Sequence, residues 1–293
     1  MTAGSAAAEF DFHDQRCIQI SLPQGSRAII SLYGAQVLSW QTADGREYFY
    51  LSPKAVMNGS SAIRGGVPVC FPQFNQRWLA GRQLPKHGFA RNQTWTVTSV
   101  EQSNEAVQAR FQLSDSDSTL AVWPHAFKAN LIVDLKPDYL RITFEVANLG
   151  SVPWPFALAL HSYLAVADVR LITVAGLAGR RYWDGVKNLN QPAHRDIQLA
   201  GLLAFQGETD RVYENVSGPL ELAYDSGRLL ITQSASLPDA VVWNPGAELC
   251  ATLPNMPING WEKMVCIEAA RINSPELLAP GQPWSGWQQF EAF

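Results

Sequence analysis

The sequence contains little charge and no long hydrophobic run. Only 16% of its 293 residues are Asp, Glu, Lys or Arg, whereas globular proteins contain about 25%, so a long helical bundle with a charged surface is not expected. The net charge of −4 argues against nucleic-acid binding, which usually requires a basic surface. No apolar stretch approaches the roughly 18 residues of a membrane-spanning helix. We therefore expect neither a nucleic-acid nor a membrane partner.

Cysteine is scarce and widely spaced. No CxxC pair occurs among the four cysteines, which are Cys17, Cys70, Cys250 and Cys266. Residues 1–9 are small and polar, and they lack both the basic residues and the apolar core of a signal peptide. These features indicate a reduced, cytoplasmic protein, which we expect to be a monomer.

The motifs of several common chemistries are missing. The sequence contains no GxGxxG after a strand, no GxxxxGK[ST], no GxSxG and no HExxH. Its five histidines are never within four residues of each other. The sequence therefore predicts no cofactor and no metal site.

Alternation of apolar and polar residues with a period of two dominates the chain, and 47% hydrophobic residues suffice for a sizeable core. Residues 129–135 and 139–147 both alternate in this way, and the turn Lys136-Pro137-Asp138 between them predicts a hairpin. Similar patterns predict strands at 16–22, 26–32, 36–41, 94–101, 107–113, 154–164, 168–174, 228–234, 240–244, 264–270 and 287–293.

Many short strands, without an amphipathic helix longer than about two turns, are typical of an all-β protein. We predict a large antiparallel β-sandwich. No linker tract divides the chain, and no repeat occurs at periods of about 20–50 residues. We therefore predict a single domain over residues 1–293, with a loosely ordered N-terminus at 1–14.

Two segments combine cations with glycine. Arg64 precedes Gly65-Gly66, where the paired glycines would allow the backbone to approach whatever the guanidinium holds. Residues 86–91 contain Lys86, His87 and Arg91. Together, these cations could form an anion cradle, although Lys86 and Arg91 could equally be solvated loop charges.

Two predicted strands carry a titratable residue among small apolar ones. Alternation places His161 on a face with Ala157 and Ala159, where a packed core would leave no space. It likewise places Glu268 on one face with Cys266, and a carboxylate in so apolar a strand is rarely buried without a partner. Each pattern indicates a cleft. The alternatives are a core histidine bonded to the backbone and a structural salt bridge.

Asp210 lies in the segment Glu208-Thr209-Asp210-Arg211. Its neighbouring opposite charges are compatible with an ordinary solvated turn, and its carboxylate is equally suited to hold a sugar hydroxyl.

Taken together, these segments resemble the galactose mutarotase-like superfamily and, within it, the D-hexose-6-phosphate mutarotases, also called glucose-6-phosphate 1-epimerases. The resemblance spans about residues 30–290 and rests on matching stretches in the family's order, namely residues 62–68, 71–72, 85–91, 160–163, 209–213, 241–245 and 266–269. Ser162, where Thr is more usual, and Gly246, where an aromatic residue is common, depart from the family pattern.

The resemblance implies a galactose mutarotase-like supersandwich with a sugar cleft on its concave face. It also implies that Glu268 is the general base and His161 the general acid of α/β anomer interconversion. Arg64 and Arg91 match the positions that grip a 6-phosphate, while His87 and Asp210 match sugar-binding positions. The expected partner is a small sugar phosphate, with Lys86 as a further phosphate contact.

Anomer interconversion opens and recloses the sugar ring, which requires one group to take a proton from the C1 hydroxyl and another to give one to the ring oxygen. We expect a charged Glu268 and a charged or readily protonated His161 on opposite sides of the cleft. No electrons or groups are transferred, so the reaction requires no cofactor. The alternatives are an aldose 1-epimerase for unphosphorylated sugars, a silent carbohydrate-binding protein on the same fold, and a glycoside hydrolase that uses Glu268 and Asp210.

Overall fold

Strands follow one another along almost the whole chain. The computed structural model describes residues 7–76, 78–79, 82–224 and 227–293. Its strands, in chain order, are β1 (Ala7–Phe12), β2 (Gln15–Ser21), β3 (Arg27–Ser31), β4 (Val37–Gln41), β5 (Val69–Cys70), β6 (Trp78–Leu79), β7 (Arg82–Gln83), β8 (Thr96–Gln102), β9 (Val107–Ser114), β10 (Phe127–Lys136), β11 (Tyr139–Asn148), β12 (Trp154–Leu160), β13 (Tyr163–Ala165), β14 (Thr173–Ala175), β15 (Arg181–Asp184), β16 (Asp196–Ile197), β17 (Leu202–Ala204), β18 (Thr209–Tyr213), β19 (Leu220–Tyr224), β20 (Gly227–Gln233), β21 (Asp239–Asn244), β22 (Met264–Leu278) and β23 (Pro283–Ala292).

Helices are short. The two α-helices are α1 (Asp117–Val122) and α2 (Gly246–Thr252), and single 3₁₀ turns occur at Ala90–Asn92, Val169–Leu171 and Gly260–Lys263. In the part of the chain that the structure describes, no helix has the length and apolar character needed to cross a membrane.

Two large sheets form the body of the protein, and their strands pair in antiparallel fashion. One sheet has nine strands in the order β17-β14-β19-β20-β23-β11-β10-β9-β8. The other has eight, in the order β16-β15-β18-β21-β22-β12-β5, with β13 also paired to β22. A smaller sheet contains β1 to β4, and β6 pairs with β7. The predicted all-β, antiparallel class is confirmed.

The eight-stranded sheet has two different faces. Its inner face contributes side chains such as Leu160 and Ile267 to the main core, where they join Phe144 and Phe290 of the nine-stranded sheet. Its outer face carries smaller side chains, among them Ala157, Ala159, Val241 and Ala270. The period-two pattern correctly predicted which residues of β12 and β22 share a face. This small-residue outer face provides the floor of the candidate site.

Most predicted strands are present within a few residues, but three predictions fail. The prediction at 154–164 is interrupted at His161 and Ser162, where β12 ends before β13 begins. In the prediction at 168–174, Val169–Leu171 form a 3₁₀ turn, because the Asp168 side chain accepts a hydrogen bond from the Arg170 backbone amide and caps it, and β14 begins only at Thr173. The expected loose order over residues 1–14 is wrong for residues 7–12, which pair with β2 along its length, while residues 1–6 lie outside the described part.

Candidate active site

Strand register brings His161 and Glu268 together. Leu160 pairs with Ala269, and Tyr163 pairs with Cys266. The register is therefore unchanged across the interruption, and it places His161 directly opposite Glu268. Side chains at such cross-strand positions have Cβ atoms about 4.5–5.5 Å apart.

The two side chains are adjacent. His161 Nδ1 lies 3.3 Å from Glu268 Oε1, and the side chains are only 8% and 1% exposed. The contact lacks hydrogen-bond geometry, so Nδ1 and both Glu268 oxygens have no hydrogen-bond partner among the described residues. The expectation that the pair would lie on opposite sides of the cleft is therefore wrong, because neighbouring strands carry the two residues side by side.

Burial favours the uncharged form of each group. Burial and the positive charges of Arg91 and Arg64 hold the pKa of His161 well below its ordinary value. Burial and the negative charge of Asp210 raise the pKa of Glu268 well above the usual range for a carboxyl group. Without substrate, the surroundings therefore disfavour the charged form of both groups, whereas we expected a charged Glu268 and a charged or readily protonated His161.

The pair lies at the bottom of a cavity of about 190 Å³. Six of the seven predicted site residues line it, namely Arg64, Lys86, His87, His161, Asp210 and Glu268. Arg91 is not among the lining residues, although its charge reaches both His161 and Glu268. The cavity thus combines a buried acid/base pair with cations from separate loops.

Arg64 is held in place by neutral partners. Its Nη1 donates to the Tyr163 hydroxyl at 2.9 Å, and its Nε donates to the Asn255 side-chain oxygen at 3.1 Å. Tyr163 in turn stacks on the His161 ring, with centroids 4.8 Å apart. The described residues offer Arg64 no carboxylate partner, so its charge remains available for an anion.

The glycines after Arg64 have a different role from the one predicted. A Cβ at Gly65 would lie 2.4 Å from the Tyr50 carbonyl oxygen, and one at Gly66 would lie 2.1 Å from the Val37 carbonyl oxygen. Both also have positive φ values, of 121° and 57°. They therefore allow close approach of protein backbone rather than of a ligand.

Lys86 and Arg91 lie on the same loop. Lys86 is exposed at the cavity, and its backbone carbonyl accepts a hydrogen bond from Arg91 Nη2 at 2.8 Å. Arg91 Nε is buried without a hydrogen-bond partner in the described part of the chain. Neither residue forms an ion pair with a described carboxylate.

His87 presents one ring nitrogen to the cavity. Its Nδ1 accepts a hydrogen bond from the Asn75 backbone amide at 3.2 Å, which assigns the ring proton to Nε2. Burial, with the neighbouring His161 and cations, lowers the pKa of His87, so the ring is neutral. The residue also adopts a φ of 64°, an uncommon conformation for a non-glycine residue that often marks functional positions.

Asp210 is positioned by β18 and by a glycine after β15. The Gly185 amide donates to the Asp210 carbonyl at 2.7 Å, and a Cβ at Gly185 would lie 2.6 Å from Asp210 Oδ2. Burial, together with the charge of Glu208, raises the pKa of Asp210 to about 6. The carboxyl group therefore faces the cavity in a confined setting.

The site also contains aromatic residues and one supporting residue that the sequence did not predict. Phe74 and Trp243 line the cavity, whereas Phe71 contacts five aromatic rings of the core, among them Phe144 and Phe156. Sequence reasoning missed Asn255, which supports Arg64, because nothing in its surroundings distinguishes it from an ordinary loop asparagine.

Potential metal ligands lie together at the site, and two of the three line the cavity. A ring nitrogen of His161, the sulfur of Cys266 and a carboxylate oxygen of Glu268 all lie within 4.8 Å of one another. The reaction expected from the sequence requires no such ion.

Comparisons with known proteins identify the family. A family model described as aldose 1-epimerase matches residues 16–291. A relative from Cenchrus ciliaris, provisionally named a glucose-6-phosphate 1-epimerase, is 33% identical over 270 residues, covering 88% of this chain and 79% of the relative.

Solved structures show the same architecture. The crystal structure of YeaD from Salmonella typhimurium, provisionally described as a mutarotase, matches with a TM-score of 0.89 and 28% identity, covering 98% of this chain and 93% of that one. A galactose mutarotase-like protein from Clostridium acetobutylicum matches in fold, with a TM-score of 0.79, 18% identity and 98% coverage of both chains. The expected fold and isomerase class are confirmed. The chain belongs to the aldose 1-epimerase family.

Proposed function

We propose that this protein interconverts the α and β anomers of glucose 6-phosphate or a related aldohexose 6-phosphate. The observation that carries the proposal is a buried acid/base pair, 3.3 Å apart, on the floor of a cavity that Arg64 and Lys86 also line. Family membership and the name of the Cenchrus ciliaris relative support the same reaction.

The spacing of the pair suits the reacting atoms. The C1 hydroxyl oxygen and the ring oxygen are both bonded to C1, so the two groups that serve them must converge on one point. Glu268 takes the hydroxyl proton as the C1–O double bond forms. The bond between C1 and the ring oxygen breaks, its electron pair stays on that oxygen, and His161 supplies the proton. Rotation about C1–C2 and reversal of these steps give the other anomer.

The proton count of the pair is the same before and after ring opening. An imidazolium with a carboxylate and an imidazole with a carboxylic acid hold equal numbers of protons. The first state serves the closed sugar, and the second serves the open-chain aldehyde. Burial favours the second state without substrate, and a bound phosphate would offset the cationic field that lowers the pKa of His161.

The substrate phosphate would bind where cations lack carboxylate partners. Arg64 offers a planar fork and Lys86 a point charge, and the carboxylate oxygens of Asp210 and the Nε2–H of His87 are suited to sugar hydroxyls. We further propose that the protein acts as a monomer in the reducing cytoplasm, since its four cysteines are free and buried.

A second candidate is an aldose 1-epimerase that acts on unphosphorylated sugars. The position of Arg91 favours it, because this residue does not line the cavity and the phosphate site would then depend on Arg64 and Lys86 alone.

Exchange NMR of anomer interconversion separates these candidates. We expect the purified protein to accelerate equilibration of glucose 6-phosphate more than that of glucose. Lys86→Gln should raise KM for glucose 6-phosphate by about tenfold, the loss expected for one charge-assisted hydrogen bond, and should leave the reaction of glucose unchanged. Lys54→Gln, an exposed lysine outside the cavity, is the matched control.

Glu268→Gln tests the chemistry itself. It should reduce kcat by about 10²–10⁴-fold while glucose 6-phosphate still binds. Equal acceleration of both sugars by the wild-type protein would favour the second candidate. Full turnover by Glu268→Gln would contradict the mechanism.

A further inference from the structure

Cys266 lies beside the acid/base pair but has no part in the proposed proton transfers. It precedes Glu268 by two residues on the same face of β22, and its register partner on β13 is Tyr163. Its sulfur, a ring nitrogen of His161 and an oxygen of Glu268 lie within 4.8 Å of one another. His161 and Glu268 line the cavity, and Cys266, which is 0% exposed, lies buried directly beside them.

Two of these three side chains carry polar atoms without a hydrogen-bond partner although both side chains are nine-tenths or more buried. His161 Nδ1 and both Glu268 oxygens have none among the described residues. Buried polar atoms are normally paired, because an unpaired one loses its water without compensation. Their lone pairs are therefore available to a species that enters the cavity.

The donor set identifies the class of that species. Imidazole, thiolate and carboxylate are the ligands of Zn²⁺, and the thiolate disfavours Mg²⁺ and Ca²⁺. Catalytic-type zinc sites use three protein ligands and leave a fourth position open, which here would face the cavity. A thiolate and a carboxylate would also balance the two charges of the ion, so that the loaded site would be neutral.

We propose that His161, Cys266 and Glu268 bind Zn²⁺, and that the bound ion blocks the enzyme by occupying its acid and its base. Zinc–ligand distances of about 2.0–2.3 Å require the three donor atoms to draw together from their present separation of up to 4.8 Å. The binding stands independently, whereas the inhibition rests on the proposed mutarotase function.

The substrate of the proposed reaction and the metal ion would occupy the same cavity. Arg64 and Lys86 line the same cavity and would hold the phosphate of a sugar whose ring then lies over His161 and Glu268, in the space that the metal and its open position need. Glucose 6-phosphate should therefore compete with the metal.

Titration with Co²⁺ tests the site, because this ion replaces Zn²⁺ and reports its ligands spectroscopically. We expect one equivalent to give a thiolate-to-cobalt charge-transfer band, which Zn²⁺ abolishes. The band should be lost in Cys266→Ala and in the better-matched Cys266→Ser, and should persist in Cys17→Ala, a buried cysteine of the small sheet. Zn²⁺ affinity, measured by calorimetry, should fall at least about tenfold in both Cys266 variants.

Inhibition is measured separately, relative to the uninhibited rate of each variant. Zn²⁺ should slow the wild-type and Cys17→Ala proteins, and about tenfold more Zn²⁺ should be needed for Cys266→Ser. A missing band, or a band that survives both Cys266 substitutions, would overturn the site. Equal inhibition of the wild-type and Cys266→Ser proteins would overturn its link to catalysis. If the protein proves inactive on glucose 6-phosphate, the titration alone still decides the binding.

Discussion

At the scale of single residues, the site concentrates groups whose protonation responds to burial. Glu268 and His161 owe their displaced pKa values first to loss of water and only then to neighbouring charges. Asp210 shows the same cause in milder form, since burial raises its pKa to about 6. Such displacement is common at functional sites.

Asp210 should make stability depend on pH in the absence of sugar. Its pKa is higher in the folded protein than its ordinary 3.8, so its contribution to stability is present below pH 4 and is lost as the pH rises through about 6. The difference corresponds to about 2–3 kcal/mol. Asp210→Asn removes this titration and should flatten the wild-type loss of unfolding free energy between about pH 4 and 7.

Chemical denaturation at a series of pH values measures this effect. Asp138→Asn, in the exposed turn between β10 and β11, is the control and should keep the wild-type profile. An Asp210→Asn profile as steep as that of the wild type would show that Asp210 is not the group responsible.

Some residues of the site can be predicted from the sequence, and others cannot. His161 and Glu268 stand out because each interrupts a face of small apolar residues, which is a local pattern. Asn255 supports Arg64 through a contact between segments 191 positions apart, and no local pattern records such a contact.

At the scale of elements, the turn after β15 positions Asp210. Gly185 leaves no room for a side chain, since its Cβ would lie 2.6 Å from Asp210 Oδ2. We expect Gly185→Ala to displace the carboxylate and to raise KM for the sugar about tenfold, as for loss of a charged hydrogen bond, with a smaller effect on kcat.

Steady-state kinetics and circular dichroism test this expectation together. Gly201→Ala is the matched control, because a Cβ there meets nothing within 4 Å. Unchanged KM in Gly185→Ala, with a native spectrum, would contradict the positioning role of the turn.

Strands were predicted correctly from the sequence where regular strand pairing coincides with alternating apolar and polar residues. β10 and β11 follow one hairpin register over their full length, and their sequence pattern is correspondingly regular. The prediction failed where a side chain, and not a neighbouring strand, makes a hydrogen bond with the backbone, as the Asp168 side chain does when it caps a 3₁₀ turn. The strand β18 was also missed as a strand, because its charged start resembles a turn.

At the scale of the whole molecule, one buried amide ties the two large sheets together behind the site. Gln288 of β23 donates to the Ile267 carbonyl at 2.9 Å and accepts from the Ser162 hydroxyl at 2.6 Å. Ile267 precedes Glu268, and Ser162 follows His161. The nine-stranded sheet therefore holds, from the core side, the backbone next to both His161 and Glu268.

Gln288→Met should lower both stability and turnover. It retains the approximate volume but removes both hydrogen bonds, at about 1–3 kcal/mol each, and leaves the Ser162 hydroxyl only its longer bond of 3.4 Å to the Leu160 carbonyl. We expect the unfolding free energy to fall by about 2–4 kcal/mol and kcat to fall more than KM rises, since the pair loses its alignment.

Gln112→Met, a half-buried glutamine of β9, is the control for both measurements. A Gln288→Met protein with the stability of this control would show that the link between the sheets contributes little. Loss of stability with unchanged kcat would restrict Gln288 to a purely structural role.

The constant register across the gap between β12 and β13 fixes the position of His161 relative to Glu268, independently of the residues that would select the substrate. Parting His161 from Glu268 would mean re-pairing two interior strands, which the backbone ladder on both sides of the gap opposes. Lys86, by contrast, is exposed and lies in the segment between β7 and β8, outside the described strands. Substitutions at this position should therefore change which sugar phosphate binds without moving the proposed acid and base.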